Sequence, residues 1–265
     1  MHYSLSVGVF MVRESPWPVF VSIGIVGLIK SAIEGCWDVL GGLGVLVGWV
    51  SLLLVLVGVY EWCRNVVGEN QSGAHLFNFN SCLYFGFILF LLTELMLFFS
   101  FFWAFLSNSW NPEVGAGCCW PPFECGPLVV DALGLPFLNT VILLSSGATV
   151  TAAHHQTLGG RGGSVGLLIV SAGLGLIFLI LQGWEYAHAL FSLGGGIFGS
   201  GFYMLTGLHG FHVCVGGVLL GLCAIKGFVQ VVSSGCHAGL QLSLWYWHFV
   251  DVVWVCLFLL VYWYA

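Results

Sequence analysis

The residues able to do chemistry in this chain are few, and each stands in apolar surroundings. Tyr246-Trp247-His248-Phe249-Val250-Asp251-Val252-Val253-Trp254 puts a histidine, a carboxylate and large aromatics inside an apolar run, 242–265, long enough to cross a bilayer. An ionisable group at membrane depth is costly, so Asp251 must face protein or a polar cavity rather than lipid. On a helix Trp247, Asp251, Trp254 and Phe258 fall at i, i+4, i+7 and i+11, one stripe that packs inward. Glu94 lies in a second such run, Leu91-Leu92-Thr93-Glu94-Leu95-Met96-Leu97-Phe98-Phe99, with Phe98, Phe101 and Phe105 continuing its face. It reads either as a proton site or as a hydrogen-bonded structural glutamate. Glu185 and His188 form Glu-x-x-His beside Trp184. Di-iron bundles use that spacing but need a second copy and two further inward glutamates, which this chain lacks. An intrahelical hydrogen-bonded pair near a helix end is therefore the expectation there.

His209 and His212 lie about one turn apart in Leu208-His209-Gly210-Phe211-His212, His154-His155 close the fourth apolar run, and His248 lies in the seventh. Haem or copper would need histidines converging at matched depth. His154-His155 belong near one surface and His209 to the opposite half, so interhelical hydrogen bonding is expected of His209, His212 and His248, with no metal ligand assigned. Ten cysteines are scattered without a CxxC pair, most of them in or beside apolar runs where a thiol serves as a small hydrophobe. Cys118, Cys119 and Cys125 share one loop, which leaves a bridge or a metal contact open. No lysine lies in the seventh run to form a retinal-type Schiff base.

The elements that must hold these groups are membrane helices. Of 265 residues, 59% are hydrophobic and 6% charged, against about 25% charged in soluble domains. Five basic residues exclude a nucleic-acid footprint, and a net charge of −6 spread thinly implies no acidic-partner surface. Apolar stretches recur seven times, at about 19–33, 39–60, 82–106, 136–153, 165–190, 199–225 and 240–264. Runs of this length argue helices over a barrel. The fold class expected is all-α integral membrane, a seven-helix bundle forming a single membrane domain over 1–265. No internal repeat is visible, which disfavours an inverted-repeat transporter. With the N-terminus inside, Arg13, Arg64, Arg161 and Lys226 fall inside and only Lys30 outside, while the long loop 107–135 with Glu113, Glu124 and Asp131 falls outside. Gly44-x-x-x-Gly48 and a face through Gly210, Cys214, Gly217 and Gly221 are expected to let helices approach closely. No cleavable targeting segment is expected, with Arg13 the one basic group before Pro16-Trp17-Pro18. Abundant Gly (38), Phe (22) and Trp (12) have codons largely written in G and T, as a strand-biased organelle genome would give.

Taken in order, the motifs resemble the cytochrome c oxidase subunit III family of the haem–copper oxidases. They are Ser15-Pro16-Trp17-Pro18, Gly73-Ala74-His75, Thr93-Glu94 with Ser100-Phe101-Phe102-Trp103-Ala104-Phe105, and Cys119-Trp120-Pro121-Pro122. Pro136-Phe137-Leu138-Asn139-Thr140, Ala153-His154-His155 and Leu181-Gln182-Gly183-Trp184-Glu185-Tyr186 follow. Thr206-Gly207-Leu208-His209-Gly210-Phe211-His212-Val213 and Trp245 to Trp254 complete the series. The resemblance implies a non-redox accessory subunit, with haem a and copper held by partner subunits and none bound here. It implies that the first two helices diverge from the other five to form a cleft holding phospholipid. It further implies packing against oxidase subunit I, with subunit II and others in the complex, in a mitochondrial inner membrane with the N-terminus on the matrix side. A bacterial plasma membrane is the lesser alternative. The service implied is support of assembly, stability and proton uptake during cytochrome c (or quinol) oxidation by O₂. On this resemblance Glu94 is the family's buried carboxylate, Glu69 and His75 match positions associated with lipid head groups, and Trp103 lies beside the cleft.

The chain also departs from the pattern. The glutamate follows Gly68 in a segment one residue shorter, so a lipid phosphate would need Arg64 as its cation. Ala74 replaces the first histidine of the usual pair, His188 stands where relatives often carry an acid, and Val229-Gln230-Val231-Val232 lacks the usual lysine. The competing class is a stand-alone seven-helix channel or proton-coupled transporter using Glu94, Glu185 and Asp251 as a relay.

Overall fold

In a bilayer core no water is available to backbone amides, so each apolar run must close its hydrogen bonds internally. The computed structural model describes residues 14–37, 41–71, 77–112, 117–122, 130–160, 163–228 and 238–264. Its helices are α1 (Trp17–Cys36), α2 (Gly42–Gln71), α3 (Phe77–Trp110), α4 (Leu135–Leu158), α5 (Ser164–His188), α6 (Gly196–Phe228) and α7 (Ala238–Leu257), with a π-helical segment, Phe258–Trp263, continuing α7. All seven are long and apolar enough to cross a membrane, and no strand occurs among the described residues. They mostly outrun the apolar stretches: α3 has 34 residues and α6 has 33, about 50 Å each at 1.5 Å per residue. Hydropathy marks only the hydrocarbon-crossing part, and the polar ends continue as helix.

Local chemistry sets several ends. Prolines enter the first turns of α1 and α4, where a missing N–H costs nothing and the ring fixes a helical φ. The α4–α5 turn passes through Gly163 at φ 109°, a conformation that only glycine adopts without strain.

Two compact units are formed, Met1–Leu83 and Tyr84–Ala265. In the first, α1 and α2 pack antiparallel along a seam of small residues. A methyl at Gly24 or Gly27 would meet Val55 or Ser51, and one at Gly48 or Gly58 would meet Ser31 or Val21. The Ser31 hydroxyl donates to the Gly44 carbonyl (3.1 Å). On α2 the seam runs Gly44, Gly48, Ser51, Val55, Gly58, a 4-3-4-3 spacing that keeps one stripe facing its neighbour. The Gly44/Gly48 pair thus does what its spacing predicts.

In the second unit α4, α5 and α6 pack in succession, and α7 lies against both α6 and α4. The α7 stripe is the centre: Trp247 and Trp254 are fully buried, and Asp251 (5% exposed) and Phe258 (9%) are buried with them. Trp247 lies over Gly175 of α5 and Gly216 of α6. Here the second glycine face departs from expectation. Added methyls at Gly217 and Gly221 would meet nothing within 4 Å, and Cys214 is exposed. The close approach belongs to Gly216, one position along, because a tryptophan needs a flat floor, which Gly216 gives.

Candidate functional site

The three intramembrane carboxylates each close on partners of their own within the second unit. Glu94 on α3 faces His212 on α6, Oε2 to Nε2 at 3.0 Å. The same ring donates Nδ1–H to the Leu208 carbonyl (2.8 Å), since a carbonyl only accepts. The Glu94 contact therefore holds one proton, carried either as carboxylic acid to neutral imidazole or as carboxylate to imidazolium. Both arrangements are neutral overall, which is the condition for tolerating such a pair in an apolar bundle. Phe98 lies against the imidazole (centroids 5.1 Å) and Tyr246 stacks on it at 6.2 Å. The Glu94 face runs on through buried Phe98 and Phe105.

Glu185 on α5 is 4% exposed and receives Tyr262 from the π-helical segment, hydroxyl to Oε1 at 2.7 Å. Gln182, one turn earlier, donates Nε2–H to both Glu185 Oε1 (3.1 Å) and the Tyr262 oxygen (3.2 Å). Asn139 of α4 reaches Gln182 Oε1 at 3.4 Å. Three helical elements are thereby tied at one point. The widened turns place Phe258, Val261 and Tyr262 inward, a local departure from α geometry of the kind that recurs where a side chain must be re-aimed. The expected Glu185–His188 pair does not form. His188 turns outward, donates to the Trp184 carbonyl (2.9 Å) and stacks on that indole at 3.8 Å. A 3-residue step with Glu185 phased into the core carries His188 to the exposed rim.

Asp251 lies against Gly147 of α4, where any Cβ would overlap its Oδ2. His248 Nδ1 is 3.5 Å from Asp251 Oδ2. Its Nε2 lies 3.0 Å from Thr151, whose hydroxyl donates to the Gly147 carbonyl and so accepts the ring proton. Asp251 Oδ1 is buried without a hydrogen-bond partner. The flanking tryptophans do not bond the carboxylate: their indole N–H groups donate to Ser146 and Thr140 of α4 (2.9 and 3.0 Å). His209 is fully buried between Phe178 and Trp254 and directs Nε2 to the Val250 carbonyl (3.3 Å), an interhelical bond as expected.

Sequence reasoning missed Tyr262, Gln182, Asn139 and Thr151, because their roles depend on which helices become neighbours. The motifs Pro136-Phe137-Leu138-Asn139-Thr140 and Leu181-Gln182-Gly183-Trp184-Glu185-Tyr186 contain Asn139 and Gln182 without indicating their partners. Among the described residues no group of three or more His, Cys, Asp or Glu is arranged to hold a metal. Both nitrogens of His212 are already engaged by protein. Cys118 and Cys119 are free thiols, and Cys125 lies outside the described residues.

The candidate head-group residues belong to the other unit. Arg64 pairs with Glu61 one turn earlier (2.9 Å), Glu69 is half-buried near the end of α2, and His75 lies outside the described residues. Trp103, on α3, is exposed and packs edge-on against Trp110 (6.1 Å).

Comparison with known proteins agrees with the order of motifs. The family model described as Cytochrome c oxidase subunit III matches residues 8–265. Relatives named cytochrome c oxidase subunit 3 include that of Arabidopsis thaliana, 41% identical over 257 residues, covering 96% of this chain and 96% of the relative. Those of Pylaiella littoralis (40% over 258 residues; 96% and 93%) and Lumbricus terrestris (40% over 257 residues; 96% and 97%) are similar. With a seven-helix apolar architecture and a family match over nearly its whole length, this chain belongs to the cytochrome c oxidase subunit III family and is an accessory membrane subunit of the respiratory oxidase.

Proposed function

We propose that the chain is a non-redox core subunit that supports assembly, stability and proton uptake of the catalytic subunit and binds phospholipid. The observation that carries this reading is that Glu94 and Glu185 each close on a partner from another helical element, and Asp251 on His248 of its own helix, whose ring reaches Thr151 of α4, which is scaffold chemistry. Haem a and copper belong on this reading to partner subunits. The buried histidines support it, since they turn ring nitrogens to Val250, Leu208 and Glu94 instead of toward one another. Subunit I is the main partner, with subunit II and others completing the complex, and the site is a mitochondrial inner membrane with the N-terminus on the matrix side. The chain is one membrane domain in which the first two helices diverge from the other five around bound phospholipid. Arg64, Glu69 and His75 serve head groups at the end of α2, and Trp103 serves the lipid from α3. A stand-alone transporter using the three carboxylates is not favoured by the full-length family match.

The test is gentle solubilisation of the native membrane, resolution on a native gel and mass spectrometry of what migrates with this chain. Co-migration with a haem a-containing, cytochrome c-oxidising band is the expected result. Migration without haem or copper subunits would overturn the proposal.

A further inference from the structure

Cys118 and Cys119 are consecutive free thiols on the segment 117–122, between the end of α3 at Trp110 and the start of α4 at Leu135. The other described cysteines, Cys63, Cys82, Cys214, Cys223 and Cys256, lie singly within helices. Cys118 is exposed and Cys119 half-buried. The segment is moored at one end of the bundle. Trp120 packs edge-on against Phe105 near the end of α3 (centroids 5.1 Å) and Phe198 near the start of α6 (5.5 Å), and Pro122 is buried. The pair therefore sits beyond the spans, at the rim of the bundle, where water reaches Cys118.

The backbone at the pair departs from the ordinary. Gly117 and Cys118 are left-handed in succession, at φ 80° and 54°, and Cys118 is the one non-glycine residue with positive φ among the described residues. A Cβ in that region crowds the following carbonyl, and such outliers cluster at functional sites. In an extended strand consecutive side chains point to opposite faces. The left-handed turn removes that alternation, so the two thiols are not sent apart. Consecutive Cα atoms are ~3.8 Å apart across a trans peptide, whereas disulfides usually span about 4.4–6.8 Å between Cα atoms. A bond between Cys118 and Cys119 is thus strained, and strained, exposed disulfides are the readily reduced ones. A closed metal site would need further ligands, and among the described residues no group of three or more His, Cys, Asp or Glu supplies them. Reversible disulfide exchange is the chemistry that two such thiols carry by themselves.

We propose that Cys118 and Cys119 form a reversible thiol–disulfide site that takes a small-molecule disulfide of the glutathione class. The Cys118 thiolate attacks one sulfur of that disulfide, forming a mixed disulfide and releasing the first thiol. The Cys119 thiolate then attacks the Cys118 sulfur, forming the Cys118–Cys119 bond and releasing the second. Two electrons pass from the pair to the small molecule, and the protons of the pair end on the released thiols. Exposure assigns the order: Cys118 meets the reagent, and half-buried Cys119 resolves the adduct. Trp120 keeps the turn moored to α3 and α6 while the pair reacts.

The experiment uses the purified native complex that contains this chain, intact and unmutated. It is reduced under native conditions, exposed to oxidised glutathione, quenched with acid, alkylated and read by peptide-level mass spectrometry. The expected product is a peptide with Cys118 and Cys119 joined to each other, preceded by a transient glutathione adduct on Cys118. Dithiothreitol should return both to thiols that alkylate. A glutathione adduct that persists on Cys118, a bond to Cys125, or two thiols that still alkylate would each overturn the inference. A second measurement asks whether the thiols converge. Phenylarsine oxide takes two thiols on one arsenic and should leave less than about a tenth of either cysteine open to alkylation. Alkylation of both cysteines to the same extent with and without the arsenical would also overturn the inference. Neither result bears on the subunit assignment, which co-migration tests.

Discussion

Removing the Tyr262 hydroxyl tests whether Glu185 is part of the structural frame. Tyr262→Phe deletes a 2.7 Å donation to Glu185 Oε1 and an acceptor for Gln182 at 3.2 Å, leaving the ring in place. Interhelical hydrogen bonds in membrane proteins average about 0.6 kcal/mol and reach about 1.7, so losing two costs about 1–2 kcal/mol. That lowers the folded-to-unfolded ratio roughly 5–30-fold. Glu185 would keep Gln182 as its donor, while its Oε2 has no partner to begin with. The loss arises because one partner of a buried pair is removed and the other stays. Tyr262→Phe combined with Glu185→Leu removes the pair but leaves the Gln182 amide without an acceptor, so the double variant should lose less than the sum of the singles without regaining wild-type stability. The assay is dodecyl sulfate denaturation of the purified chain in mixed micelles, followed by tryptophan fluorescence, with Trp254 lying 5.8 Å from the Tyr262 ring. A Tyr262→Phe variant indistinguishable from wild type, or a double variant whose loss equals the sum of the singles, would refute the reasoning.

Two further pairs of substitutions separate packing from polar pairing by the same assay. Gly216→Ala drives a methyl to 2.8 Å from Trp247 Cε3 and should cost about 1–3 kcal/mol as overpacking, whereas Gly217→Ala enters open space and should stay within about 0.5 kcal/mol of wild type. Glu94→Gln can still donate to His212 Nε2 and should change stability by less than about 1 kcal/mol, while His212→Leu strands the carboxyl and should cost about 1–3 kcal/mol.

Helical phase was readable from residue spacing; helix neighbours were not. The stripe Trp247–Asp251–Trp254–Phe258 needs only the 3.6-residue period, and all four are buried as the period requires. The Glu94–Phe98–Phe105 face needed nothing more. Tyr262 escaped notice because its place depends on α5 being a neighbour and on a π-helical turn, and neither leaves a mark in the hydropathy. The Glu185–His188 expectation went wrong for a related reason. Spacing alone says that two residues are close along a helix, but the burial of Glu185 fixes the phase and leaves His188 to Trp184.

The carboxylate positions also differ in what they leave unfinished. Glu94 and Glu185 meet donors or a proton-sharing ring supplied by this chain. Asp251 meets only one such group, at 3.5 Å on its own helix, and like Glu185 keeps one buried oxygen without a partner. Indoles anchored on Ser146 and Thr140 fix α4 against α7 on either side of it. Asp251 is therefore held by packing against Gly147 and by the anchored indoles beside it, whereas Glu94 and Glu185 are held by hydrogen bonds to other helical elements.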